Sequence, residues 1–161
     1  MKLIITRHGQ AEKEGDDSTR NLTDRGRSDM ALMSSLIRAS DWNVRAVLSS
    51  PVLRARQTAE IIARELKLDA PREEERLAPG RARDGMKELL DLPSNSDALV
   101  WVFHAPDVAQ VASALTGLPE SGFYFPSGTM LALNLPLPQP ESRSMLIWTV
   151  QPEYLSKFQP T

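Results

Sequence analysis

The sequence predicts an α/β fold: a three-layer sandwich with a mostly parallel central sheet, helices on both faces and an antiparallel strand pairing at one edge. Three observations predict it. Short apolar runs alternate with amphipathic stretches through most of the chain, the pattern of a parallel sheet covered by helices. One run, Ala98 to Phe103, is wholly apolar, as a strand buried on both faces must be. The last two runs, Thr129 to Leu135 and Ser144 to Val150, have no helical pattern between them, which suits an antiparallel pair at the edge.

The elements follow in order. Leu3 to Thr6 is a short buried strand, and the polar stretch Gln10 to Leu22, with Gly15, Asp16 and Asp17, is an exposed loop. Thr23 caps a helix from Asp24 to about Ser40, in which Met30, Met33 and Ile37, with Leu36 beside them, mark one buried face. Val44 to Leu48 is the second strand. Ser50-Pro51 then starts a helix running to about Leu68, serine as cap and proline at the first position, with Ala55, Ala59, Ile62, Ala63 and Leu66 on its inner face. Glu73-Glu74-Glu75 with Arg76, Arg81 and Arg83 is charge-dense and reads as solvated loop or edge strand. Pro106 and Asp107 open the next helix after the Ala98–Phe103 strand, and Gly117 closes it. Pro136, Pro138 and Pro140 make a stiff loop rather than a domain linker. The whole is one domain, 1–161, with 151–161 as a C-terminal tail.

Composition narrows the function. At 161 residues, with 41% hydrophobic and 25% charged residues, the chain is long enough for a real core and carries no apolar run of bilayer length. It opens on Lys2 and a core strand, without the apolar segment and small-residue cleavage site of a signal peptide, so a cytoplasmic location is expected. Zero cysteines remove a thiol nucleophile, a disulfide frame and a thiolate metal site. Two histidines far apart, His8 and His104, make no histidine-rich metal site, and no cofactor is implied. With 19 Lys and Arg against 21 Asp and Glu, the net charge of −2 gives no general attraction to nucleic acid or membrane. Anion binding has to be local, and the chain is expected to act as a monomer.

The local feature is Arg7-His8-Gly9, placed where the first strand ends. A strand running into a glycine presents its last side chains at the crevice where open α/β sheets bind ligands, and an arginine beside them suits an anion. His104 ends the apolar strand in the same way. The plain alternative for each, a strand-end histidine or arginine satisfied by backbone or a carboxylate, loses force because several strand and helix ends deliver cations or imidazoles together.

Arg7-His8-Gly9 after a first strand, then Ser50-Pro51-Val52-Leu53-Arg54-Ala55-Arg56-Gln57-Thr58-Ala59, then a histidine after a buried strand resembles the histidine phosphatase superfamily. The short length and Arg20-Asn21-Leu22-Thr23-Asp24-Arg25-Gly26 resemble its SixA-type branch of small phosphohistidine phosphatases, and the likeness runs from Leu3 to about Leu135. The resemblance implies that His8 attacks phosphorus and carries a covalent phosphohistidine intermediate released by water. It implies a pocket of Arg7, Arg54 and His104, with Arg20, Gly9 and Ser50 as further substrate contacts. The chemistry agrees: a neutral imidazole is a nucleophile near neutral pH once its other nitrogen donates to an acceptor, here a backbone carbonyl near Gly9, and guanidinium forks hold equatorial phosphoryl oxygens.

Two departures matter. Many members place a glutamate after the third strand to protonate the leaving oxygen, whereas Arg76-Leu77 stands there here. The remaining candidates for a general acid are Asp17 and Glu75. An alkoxide leaving group needs such an acid and an imidazole leaving from phosphohistidine does not, so the phosphorylated histidine of a partner protein is the expected substrate. A phosphatase of small esters or phosphoanhydrides and a non-catalytic phosphoprotein-binding module are the alternatives. The second departure is Phe103 before His104, where a small residue is usual. Phe123, Tyr124 and Phe125 either border the entrance or pack in the core.

Overall fold

The computed structural model describes residues 1–90, 98–136 and 143–158. Six strands form one sheet in the order β3-β2-β4-β1-β5-β6: β1 Lys2–Arg7, β2 Val44–Ser49, β3 Arg72–Glu73, β4 Ala98–Phe103, β5 Met130–Asn134 and β6 Met145–Val150. β1 pairs with β4, and β2 with β4 and β3, all parallel, while β5 is antiparallel to β1 and β6 to β5. The expected sheet, with its antiparallel pairing at one edge, is present.

Alternation along the strands builds the three layers. Leu3 and Ile5 of β1 and Leu99, Trp101 and Phe103 of β4 face one way, into a core shared with Val108, Val111 and Ala112 of α4 (Asp107–Thr116). Ile4, Val100 and Val102 face the other way, onto Met30, Met33 and Ile37 of α1 (Asp24–Ala39) and Ala55, Ala59 and Ile62 of α2 (Leu53–Glu65). Every residue of β4 is buried, which explains its unbroken apolar run.

Helix ends show which local signals acted. Thr23 caps α1, its side chain accepting from the Gly26 N–H at 3.0 Å. Gly117, in the left-handed region at φ 72°, ends α4 as expected of a glycine there. Ser50 does not cap α2: the helix starts three residues later, with Val52 in the cap position and no side-chain cap. The Ser50 hydroxyl has another partner, described below.

The charged stretch after α2 is more ordered than its composition suggests. Arg72–Glu73 is an edge strand, as one of the two readings held, but Ala82–Leu90 is a helix, α3. Ala82 is buried in the α4-side core, and Met86 and Leu90 pack against it. These apolar residues recur every four positions, the periodicity that was there to be seen. Residues 151–158 are likewise more than a tail. Pro152–Leu155 forms the short helix α5, Pro152 is buried, and a short 3₁₀ turn follows. Of the proline-rich loop, Pro138 and Pro140 lie outside the described residues. No helix among the described residues is long and apolar enough to cross a membrane.

Two glycines set the closest packing near the carboxyl end of β1. A Cβ on Gly26 would stand 2.1 Å from the Gln10 carbonyl oxygen, and one on Gly9 would stand 2.9 Å from Met30 Cγ. Only glycine lets the segment after β1 lie this close to α1.

Candidate active site

Because β2, β4 and β1 are neighbours and parallel, their carboxyl ends bring Ser50, His104 and His8 to one edge of the sheet. Backbone bonds extend the strands into this region: the His8 N–H donates to Phe103 O at 3.1 Å, and the Ser50 N–H to Val102 O at 2.9 Å. The two imidazole rings lie 5.2 Å apart. A cavity of about 570 Å³ opens over them, lined by Arg7, His8, Arg20, Arg54, His104 and Asp17, with Gln10, Lys13, Pro79 and Ser127 among the remaining walls.

His8 is oriented from both nitrogens. Its Nδ1 lies 2.8 Å from Gly9 O, and a carbonyl can only accept, so Nδ1 carries the proton. Arg54 Nε donates to Nε2 at 3.1 Å, so Nε2 carries the lone pair. The expected backbone acceptor near Gly9 is present. Burial above all, with His104, Arg54 and Arg7 adding to it, pushes His8 down to about 3 despite the opposing bond from Gly9. His104 is pushed down to about 4, chiefly by burial and then by Arg54. Its Nε2 meets Ser50 Oγ at 2.7 Å, and its buried Nδ1 has no partner among the described residues.

The arginines come from three different segments. Arg7, at the end of β1, donates through Nη1 to Phe125 O at 2.7 Å, while its buried Nε has no partner among the described residues. Burial and then the nearby Arg54 guanidinium lower the Arg7 pKa. Arg54 is buried in the first turn of α2 and donates to both the backbone carbonyl and the carboxylate of Asp17. Arg20 Nη2 holds Asp17 Oδ1 at 2.5 Å, and its Nη1 donates to Glu12 O at 3.0 Å.

Several expected contacts move. Gly9 does not line the cavity: its N–H donates to Thr58 Oγ1 at 3.0 Å, and its value lies in close packing and in the carbonyl that orients His8. Ser50 lines it no more than Gly9 does, and its hydroxyl meets His104 while also accepting from the Val52 N–H at 3.3 Å, just ahead of α2. Glu75 is away from the cavity, exposed and 3.6 Å from Arg81. Glu73 pairs with Arg56, and Glu74, buried, pairs with Arg76. Asp17 does line the cavity, but the Arg20 hydrogen bond holds its carboxyl below the usual carboxylate range, so it offers no proton near neutral pH.

Other residues emerge only in three dimensions. Gln57 accepts from the Leu22 N–H and donates to Asn21 Oδ1, both at 2.8 Å, tying the first loop to α2. Thr58 Oγ1 bonds Gly9 as above and donates to Arg54 O. Buried Asp107 accepts from the Gly80 N–H at 2.7 Å, fixing the loop that carries Pro79 to the cavity. Phe103 points into the α4-side core rather than the cavity wall. Phe125 packs in the core, Tyr124 is exposed, and none of the three aromatics is among the cavity's lining residues.

The depressed histidines predict a pH response. With only two histidines in the chain, their ring C–H resonances report directly, and both midpoints are expected near 3 to 4 instead of near 6.5. The unfolded chain takes up those protons near pH 6.5 and the folded chain does not until pH 3 to 4. Stability contributed by these rings is therefore complete above about pH 6.5 and falls as pH drops through that window. Midpoints near 6.5 in the folded protein contradict this electrostatic account.

The chain is similar to several known proteins. The model of the histidine phosphatase superfamily (branch 1) matches residues 3–79. An uncharacterised protein of Picosynechococcus sp. is 34% identical over 120 residues, covering 71% of this chain and 73% of that one. The phosphohistidine phosphatase SixA of Escherichia coli is 28% identical over 138 residues, covering 85% of this chain and 69% of that one. A solved structure of the protein histidine phosphatase SixA complexed with tungstate superposes with a TM-score of 0.83 at 24% identity, covering 96% of this chain and 99% of that one.

Proposed function

Since the chain belongs to the histidine phosphatase superfamily (branch 1) and is a phosphatase, we propose that it removes the phosphoryl group from a phosphorylated histidine of a partner protein, through a covalent intermediate on His8. One observation carries this reading: His8 offers Nε2 as a lone pair to a cation-lined cavity, while no carboxyl group able to donate a proton near neutral pH lines it among the described residues. The likeness to the E. coli phosphohistidine phosphatase supports the same substrate class.

The residues divide the work. His8 Nε2 attacks phosphorus, and the ring becomes an imidazolium whose Nδ1–H stays on the Gly9 carbonyl. As the phosphoryl group arrives, Arg54 Nε leaves Nε2 and donates to an equatorial oxygen. Arg7 and Arg20 supply further guanidinium donors, and His104, steadied by Ser50, offers its unpaired Nδ1 to the phosphoryl group. Water then attacks phosphorus, and the His8–phosphorus bond breaks to return neutral His8 and orthophosphate.

A substrate comparison tests the assignment. Lack of an acid costs an alkoxide leaving group on the order of 10² to 10⁴ in rate and costs a departing imidazole little. The expected result is a kcat/KM on a phosphohistidine peptide at least about 10²-fold above that on the matching phosphoserine peptide. Equal turnover of the two, or turnover of small phosphate esters or anhydrides alone, contradicts it. Saturable binding of the phosphohistidine peptide with no phosphate released assigns a binding module instead.

A further inference from the structure

The cavity contains one group that a phosphate pocket does not need. Its described walls carry four permanent cations, Arg7, Lys13, Arg20 and Arg54, and a single carboxylate, Asp17. A carboxylate beside an arriving phosphoryl group opposes its binding and occupies the guanidiniums meant for it. Asp17 is nevertheless held in place from two sides, Oδ1 by Arg20 at 2.5 Å and Oδ2 by Arg54 at 3.3 Å, with Arg54 also on its backbone carbonyl. Its side chain is 68% exposed, and a carboxylate offers about four acceptor positions, so it has capacity left for a ligand.

We propose that the Asp17 carboxylate receives the leaving imidazole of the substrate, accepting a hydrogen bond from its free ring N–H and favouring the cationic form of the phosphohistidine ring. This inference rests on the phosphohistidine reading above. A phosphohistidine ring differs from a phosphate ester in one useful respect: with phosphorus on one nitrogen and a proton on the other, it is positive. It thus brings to the site the charge that a carboxylate would attract.

The step balances without a general acid. The His8 Nε2 lone pair forms the new bond to phosphorus, the bond from phosphorus to the substrate nitrogen breaks, and its electron pair stays on that nitrogen. The substrate ring leaves as neutral imidazole, its proton still on the far nitrogen beside Asp17. The Gly9 carbonyl does for the His8 ring what Asp17 does for the substrate ring: each accepts from the N–H opposite the phosphorylated nitrogen. Asp17 remains ionised for this role because Arg20, above all, holds its pKa down. The other charged or titratable groups around it are Arg7, Lys13, Arg54, His8 and His104, all on the same cavity wall.

The test compares two substrates on the full chain, a phosphohistidine peptide and 4-nitrophenyl phosphate, whose leaving group has no ring N–H. Asp17→Asn is expected to lower the ratio of kcat/KM for the peptide over the aryl phosphate by about tenfold to a hundredfold, the worth of one hydrogen bond between charged groups. It is also expected to move the alkaline limb of peptide turnover to lower pH, because the substrate ring loses its proton more readily without the carboxylate. Asp17→Glu recovers part of the ratio. If Asp17 only orders Arg20 and Arg54, both substrates change together and the alkaline limb stays in place, which overturns the inference while leaving the phosphohistidine reading intact. A wild-type chain active on the aryl phosphate but inert on the peptide overturns both.

Discussion

Replacing His8 by alanine is expected to lower kcat on a phosphohistidine peptide by on the order of 10⁵, leaving only what the cationic pocket contributes over water. The other ring, His104, has Nε2 on Ser50 and, in this account, Nδ1 as a donor to the phosphoryl group, so it is not expected to take over the attack. The fold should survive, because the His8 main chain keeps its bonds to Phe103 and Gly128, and the lost ring is one that opposes folding in acid. The variant should therefore melt at least as high as wild type, relative to its own value at pH 8, once pH falls below 6.5. Activity within a few fold of wild type, measured on protein freed of trace phosphatase, removes His8 from the chemistry.

Arg54→Lys should cost kcat about 10² to 10³ on phosphohistidine and aryl phosphate alike. Arg54 is buried at the start of α2, and its three nitrogens divide between His8 Nε2, the Asp17 carbonyl and the Asp17 carboxylate. A lysine keeps the charge but not the planar fork, and a single ammonium cannot follow the phosphoryl oxygens while still holding the loop. The fall in both substrates distinguishes this residue from Asp17, whose loss separates them. A lysine variant within threefold of wild type on kcat means that charge alone, not fork geometry, is what the pocket uses.

Much of this was legible in the sequence for a physical reason. A parallel sheet gathers the carboxyl ends of its strands, so Arg7-His8 and His104, each placed directly after an apolar run, had to meet if the runs paired in parallel. The core faces of α1 and α2 were legible from helical spacing. What periodicity cannot supply is the partner of a polar side chain across the fold. Ser50 before Pro51 looks the same whether it caps a helix or orients an imidazole 54 residues away, and the structure chose the imidazole. Gly9 looked like an anion contact until Thr58, 49 residues on, took its N–H. Asp17 and Glu75 were equal candidates as acids on paper. Arg20 and Arg54 pin the first ionised inside the cavity, and the second lies outside it beside Arg81. The helix Ala82–Leu90 was obscured by its own charges, although Ala82, Met86 and Leu90 recur every four positions and turn one face into the α4-side core.

The central claim is that phosphorus passes through His8 Nε2. It is tested most directly by mixing the protein with a ³²P-phosphohistidine peptide, stopping the reaction in alkali, where a phosphorus–nitrogen bond survives, and mapping the label by mass spectrometry. The account predicts label on the His8 peptide in a fraction of wild-type molecules, lost on acid treatment and absent from His8→Ala. Full turnover with no label on His8 at any quench time, or label on His104 instead, contradicts it.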